Sequence, residues 1–165
     1  MRKIATTLLA AAAMAAGTLL AAAPAQAASQ WQTVQTNANW KCAKTVVHPS
    51  RADLGYQACL VTNAQAQAQV VMVVVNNSTT PVSISGNITS AFGADRTCGT
   101  LSLGVGERRG CFAPTGPIPV CLTGAGHPDP TEQLHGGTIR LTVGGVTKAM
   151  DSPRTECFFD PTSPW

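Results

Sequence analysis

Charge and aromatic rings are scarce in this chain. Only 12% of its residues are charged and 5% are aromatic, with a single tyrosine. So little charge excludes a coiled coil and a charge-extended disordered tail. The formal net charge is +3, and two of the positive charges, Arg2 and Lys3, sit at the very N-terminus. Taking those two away leaves +1, with no concentrated basic stretch of the kind a nucleic-acid binder carries. There is no Cys-x-x-Cys pair, so the spacing of a structural zinc site or a redox-active dithiol is missing. There is no Gly-x-Ser-x-Gly, and no glycine-rich phosphate loop leads into a helix. The eight acidic residues are scattered rather than paired, which gives no carboxylate couple for glycoside hydrolysis. Helix breakers, in contrast, are plentiful: 15 Gly and 11 Pro argue against an all-helical fold.

What is present begins with an address. Arg2 and Lys3 precede an apolar, alanine-rich stretch from Ile4 to Ala23, and Ala25-Gln26-Ala27 supplies a small-x-small cleavage pattern. Residues 1–27 are expected to be an export signal cleaved before Ala28. That leaves residues 28–165, 138 in number, which is the size of one domain. The first cysteine, Cys42, is too far from the apolar stretch to carry a lipid, and the Phe158-to-Trp165 end has no hydrophobic tail. The expected product is secreted, with no membrane anchor, into an oxidising setting.

Six cysteines in such a chain form an even set, read as three disulfides. Leu101-Ser102-Leu103 alternates, and Gly104-Val105 can form a type II′ turn. In a two-residue hairpin Leu103 faces Gly106, and counting outward places Cys98 opposite Cys111. That register predicts Cys98–Cys111, with Gly104 at positive φ. Cys42 and Cys59 flank the turn-like His48-Pro49-Ser50-Arg51 and form a second local pair. Cys121 and Cys157 remain, and would tie the C-terminal segment to the body.

The rest of the chain reads as short strands. Tyr56 to Thr62 is apolar between Gly55 and Asn63. Ala64 to Gln69 alternates with Gln outward, then runs into Val70-Val71-Met72-Val73-Val74-Val75, apolar on both faces. Val82, Ile84 and Ile88 share one face of a returning strand, and Val120-Cys121-Leu122 reads as a short buried piece. Thr138–Val143 and Val146–Met150 are joined by Gly144-Gly145, a strong hairpin signal. The expected fold class is all-β, a small antiparallel sandwich of immunoglobulin-like type stapled by three disulfides. Residues 28–40 are polar, with Trp31 and Trp40 as anchors onto the body. The alanine-rich leader, the sparse charge and the run from Leu101 to Cys111 resemble small exported, disulfide-bonded, β-rich proteins of actinobacteria. The resemblance implies a fold class and a compartment, and it carries no active site across.

Several clusters could bear chemistry. His127-Pro128-Asp129-Pro130-Thr131-Glu132-Gln133-Leu134-His135 places two histidines and two carboxylates within nine residues. A loop could converge these on a divalent metal. The same segment also reads as one capped helical turn, with Asp129 as N-cap, Pro130 first and Glu132 at the capping-box position. No metal or cofactor is expected. His48, beside Pro49, reads as a surface residue. Arg108 and Arg109 point to opposite faces of one strand. One of them could pair with a carboxylate or an anionic ligand, although an edge strand kept soluble by charge would explain both. Asn76, Asn77 and Asn87 begin sequons that read as exposed turns.

These features point to a secreted, non-catalytic binding or structural module, not an enzyme. It would work as a monomer on an extracellular protein or carbohydrate. Trp31, Trp40, Trp165 and Tyr56 are the contact candidates wherever they are exposed. The alternative is a secreted protease inhibitor. It would present Gly116-Pro117-Ile118-Pro119-Val120-Cys121, a proline-stiffened loop beside a disulfide, at low ordering cost.

Overall fold

The computed structural model describes residues 30–120 and 132–157. The expected export signal, Cys121, the stretch from Leu122 to Thr131 and Trp165 lie outside the described residues. With them lie the Cys121–Cys157 pairing and most of the His127–His135 cluster.

Among the described residues every regular element is a strand. The first seven are β1 (Trp31–Thr33), β2 (Trp40–Cys42), β3 (Val46–His48), β4 (Arg51–Thr62), β5 (Gln67–Asn76), β6 (Val82–Ser90) and β7 (Arg96–Leu103). The rest are β8 (Arg108–Phe112), β9 (Gly116–Pro117), β10 (Gln133–His135), β11 (Gly137–Val143), β12 (Val146–Asp151) and β13 (Arg154–Glu156).

The organising strand is β5. Its run of β-branched residues is stiff at χ1 and suits a pleated sheet, and its two apolar faces demand cover on both sides. Accordingly β5 lies inside a seven-stranded sheet of order β1-β8-β5-β4-β2, with β3 also on β4 and β9 also on β5. A second sheet runs β12-β11-β6-β7, and β10 pairs with β13 as a separate ribbon. Every pairing is antiparallel.

The inner faces of the two large sheets share one core. Leu54, Tyr56, Ala58 and Leu60 of β4 and Val70, Met72 and Val74 of β5 meet Val82, Ile84 and Ile88 of β6 and Ile139, Leu141 and Val143 of β11. Gly86 belongs here for lack of a side chain, because the Met72 thioether occupies the space a Cβ would need. The outer face of the first sheet holds a second, smaller cluster. There Cys59, Val71 and Val73 are buried, and Val34, Trp40, Val61 and Phe112 pack over them. Trp40 meets Phe112 edge-on at 6.0 Å. Trp31 is buried, and its indole N–H donates to the Gly99 carbonyl at 2.8 Å. Both tryptophans therefore anchor the N-terminal segment.

Among the described residues two disulfides are formed. Cys42 and Cys59 are direct register partners on β2 and β4. Cys98 bonds Cys111 with Cα atoms 6.1 Å apart. Both pairings are the expected ones, but the hairpin reasoning behind the second is overturned. β7 pairs with β6 in the second sheet, whereas β8 lies between β1 and β5 in the first. The bridge crosses from one sheet to the other. Residues 104–107 form a turn closed by the Glu107 N–H to the Gly104 carbonyl at 3.2 Å. Positive φ falls on Gly106 (70°), not on Gly104, as position i+2 of a type II turn requires. Local alternation cannot tell an arch between sheets from a hairpin within one, since both begin with strand, turn, strand.

Other boundaries move for local reasons. Ala64 to Ala66 are not strand, because the Asn63 side-chain oxygen accepts from the Gln65 and Gln67 N–H groups and folds the chain into a turn. β4 starts at Arg51, five residues before the expected strand. Val120 is exposed rather than buried. β8 is an interior strand, so the edge-strand explanation of Arg108 and Arg109 does not hold. Asn76 is fully buried, not in an exposed turn, and Asn87 lies within β6. The Gly144-Gly145 hairpin is as expected, with φ of 56° and 80° and Val143 facing Val146.

Accessibility separates the two bridges. Cys98 and Cys111 are fully buried, whereas Cys42 is exposed. A dithiol reductant acting on the native protein should open Cys42–Cys59 first and reach Cys98–Cys111 only on unfolding. Alkylation followed by peptide mapping reads the order, and equal rates would contradict it. Changing both Cys98 and Cys111 to Ser should cost about 3 kcal/mol in denaturant unfolding, the chain-entropy value for a loop of this length.

Candidate functional site

The first sheet leaves its outer face covered at one end and open at the other. Val34, Trp40 and Phe112 lie over Val71 and Val73. Further along, register places Gly55, Val75 and Arg108 in one row across β4, β5 and β8, and Gln57, Val73 and Gly110 in the next. Gly55 has no side chain to fill its place in the row. A Cβ there would lie 3.1 Å from Val75 Cγ1 and 3.2 Å from Thr45 Cγ2. The result is a groove of about 250 Å³ lined by Thr45, Gly55, Tyr56, Gln57, Val73, Val75 and Arg108. Val47, the β3 partner of Gly55, is 61% exposed beside it.

The polar rim is ordered. Thr45 Oγ1 donates to Gln57 Oε1 at 2.6 Å, and the Gln57 amide nitrogen donates to Cys59 Sγ at 3.5 Å. Arg108 is exposed, and among the described residues its guanidinium has no hydrogen-bond or ion-pair partner. Its neighbour Arg109 is committed, to Glu107 at 3.2 Å and to the Thr33 hydroxyl at 2.9 Å. The same Glu107 carboxylate accepts from the Gly104 N–H at 3.1 Å. Of the two adjacent arginines, then, one braces the turn and one is left over at a groove.

A second cavity, about 240 Å³, opens between Ser50, Arg51, Pro81, Val82, Ser83, Val143 and Gly144. Its cation is already used: Arg51 pairs with Asp53 at 3.1 Å, and the guanidinium holds that carboxyl below its ordinary range. No uncommitted charge faces this cavity.

The residues singled out from sequence distribute unevenly. Trp31 and Tyr56 are buried and present no contact surface, and Trp40 is half-buried. His135 Nε2 lies 3.5 Å from Asp151, which also accepts from the Thr138 hydroxyl at 2.8 Å. Among the described residues no three of His, Cys, Asp and Glu come together to hold a metal. Two of the six residues from Gly116 to Cys121 are in the sheet: Gly116 and Pro117 pair with Ala68 and Gln67, and the Ile118 N–H bonds the Ala66 carbonyl at 2.8 Å. Gly116 itself lies against the Phe92 carbonyl with no room for a Cβ.

His48 corrects the surface reading. It is fully buried, 6.0 Å from the Tyr56 ring. Its Nδ1 accepts from the Ser50 N–H at 3.3 Å, so the proton sits on Nε2, which among the described residues makes no hydrogen bond of good geometry. Burial lowers its pKa from the ordinary 6.5; the carbonyls of Leu141 and Val146 oppose the shift, and Lys148 adds to it. The bulge between Val47 and His48 turns the ring inward, and nothing in the His-Pro sequence announces that bulge.

Comparison with known proteins finds no family model, no curated protein and no solved structure that matches the chain.

The histidine gives a pH prediction. Because its folded pKa lies below 6.5, the unfolded chain takes up the proton first as pH falls. Stability should be unaffected by His48 above pH 6.5, and should decline as pH drops from there to the folded pKa. Melting temperatures measured from pH 7.5 to 4.5 test this, and His48→Gln should flatten that part of the curve whatever its own stability.

Proposed function

We propose that the chain is an exported, non-catalytic binding module, an immunoglobulin-like two-sheet fold with three disulfides, acting outside the cell as a monomer. The groove over Gly55 carries this reading: an apolar floor, a polar rim and an uncommitted guanidinium lie together on a rigid sheet. Preformed concave sites with few polar groups are what small-ligand binding uses. The two formed disulfides suit an oxidising compartment, and the described residues contain no helix long and apolar enough to cross a membrane. Stacking of a sugar on Trp31 or Tyr56 is disfavoured by their burial. The outer face of the first sheet is therefore the binding face.

NMR screening of the ¹⁵N-labelled mature protein against a set of sugars, amino acids and organic acids tests this. Saturable shifts should cluster on Gly55, Gln57, Val73 and Val75. Shifts confined to the Ser50–Gly144 end, turnover of any component, or micromolar inhibition of secreted proteases would overturn it.

A further inference from the structure

Resting on that reading of the outer face, we infer that the groove selects a small apolar monocarboxylate, a branched-chain or aromatic acid. Four of the six described arginines have side-chain partners: Arg51, Arg96, Arg109 and Arg140. Of the two without one, Arg108 and Arg154, only Arg108 lines this groove. The groove lining contains no Asp or Glu to neutralise it. The nearest carboxylate on the same face of β4, Asp53, is already held by Arg51.

The one charged group in the lining, Arg108, is a donor. The Gln57 amide is engaged at both ends, its oxygen by Thr45 and its nitrogen by Cys59 Sγ. A guanidinium fork with no acid beside it in the lining matches a carboxylate, which accepts at both oxygens. One uncommitted positive charge balances one negative charge. A phosphate dianion would need more cations and would gain nothing from a valine floor.

The floor sets the other end of the ligand. Val73 and Val75 are aliphatic, and no exposed aromatic plane is available for a sugar ring to stack on. Strand spacing places Arg108 roughly 10 Å from Gly55 across Val75. A short acid can therefore lie over Val75 with its carboxylate at Arg108 and its apolar end over the gap at Gly55. The volume, about 250 Å³, falls just below the range usual for drug-sized ligands and suits a single ring or a branched chain.

Titration by NMR of the mature protein with benzoate and 3-methylbutanoate, each beside its neutral amide, tests the assignment. The acids should bind at least about tenfold more tightly than the amides, as loss of a charge-assisted contact implies. Arg108→Gln should erase that preference while leaving the melting temperature unchanged, since the side chain is exposed. Equal binding of acid and amide at the groove, unaffected by Arg108→Gln, would overturn the carboxylate assignment and leave the binding face intact. No saturable shift at these residues with any probe up to about 10 mM would overturn both. An apolar tripeptide that binds more tightly than benzoate through its free C-terminus, and not when amidated, would overturn the small-molecule source.

Discussion

β5 is apolar on both faces, and each face must be taken out of water. Its inner face is met by the second sheet, which is the ordinary solution for an antiparallel sheet. Its outer face would normally be solvated, so the N-terminal segment is brought across it. Trp40, Val34 and the Cys42–Cys59 bridge lie there because Val71 and Val73 require cover. The cover stops short at Val75, where β4 contributes a glycine instead of a side chain. The groove is thus the remainder of a burial problem solved over most of its length.

Asn76 ends that strand and turns its polarity to structural use. Fully buried, it donates to the carbonyls of Thr80, Leu103 and Gly104, and its side-chain oxygen accepts from the Ser78 N–H. Its own backbone exchanges hydrogen bonds with Gly106 and Glu107. One amide thus fastens the end of β5 to the arch that carries the chain between sheets. A buried amide so fully satisfied rigidifies its surroundings. That rigidity extends through Glu107 to Arg109 and leaves Arg108 the freer of the pair.

Much of the fold was legible because β periodicity is a short-range signal. The run at Val70–Val75, the apolar face of β6 and the Gly-Gly hairpin each declared themselves within a few residues. What was not legible depends on where a strand goes after its turn. Cys98 and Leu101 differ by an odd number of residues and yet both turn inward, because the irregularity between Ile84 and Gly86 lets β7 gain a residue at Gly99-Thr100. No alternation rule anticipates that. The groove was less legible still: Arg108 stood out by charge, but Thr45, Gly55, Gln57 and Val75 are ordinary residues that become a site only through register. His48 was misjudged because its neighbours in sequence are turn residues, while its neighbours in space come from β4, β11 and β12.

β1 consists of three residues near the start of the described chain, and its partner is β8, far along the sequence. A chain emerging from its N-terminus can close β4 on β5 and join Cys42 to Cys59 early, since those contacts are close in sequence. Trp31, in contrast, has no seat until both Gly99 and Cys111 have arrived. Contacts of such long sequence separation are slow to form because loop closure comes before its reward. The first strand made is therefore the last to dock, and until then the far edge of β8 stands unpaired. The indole seats beside the inter-sheet bridge only then, as a latch set at the end of assembly.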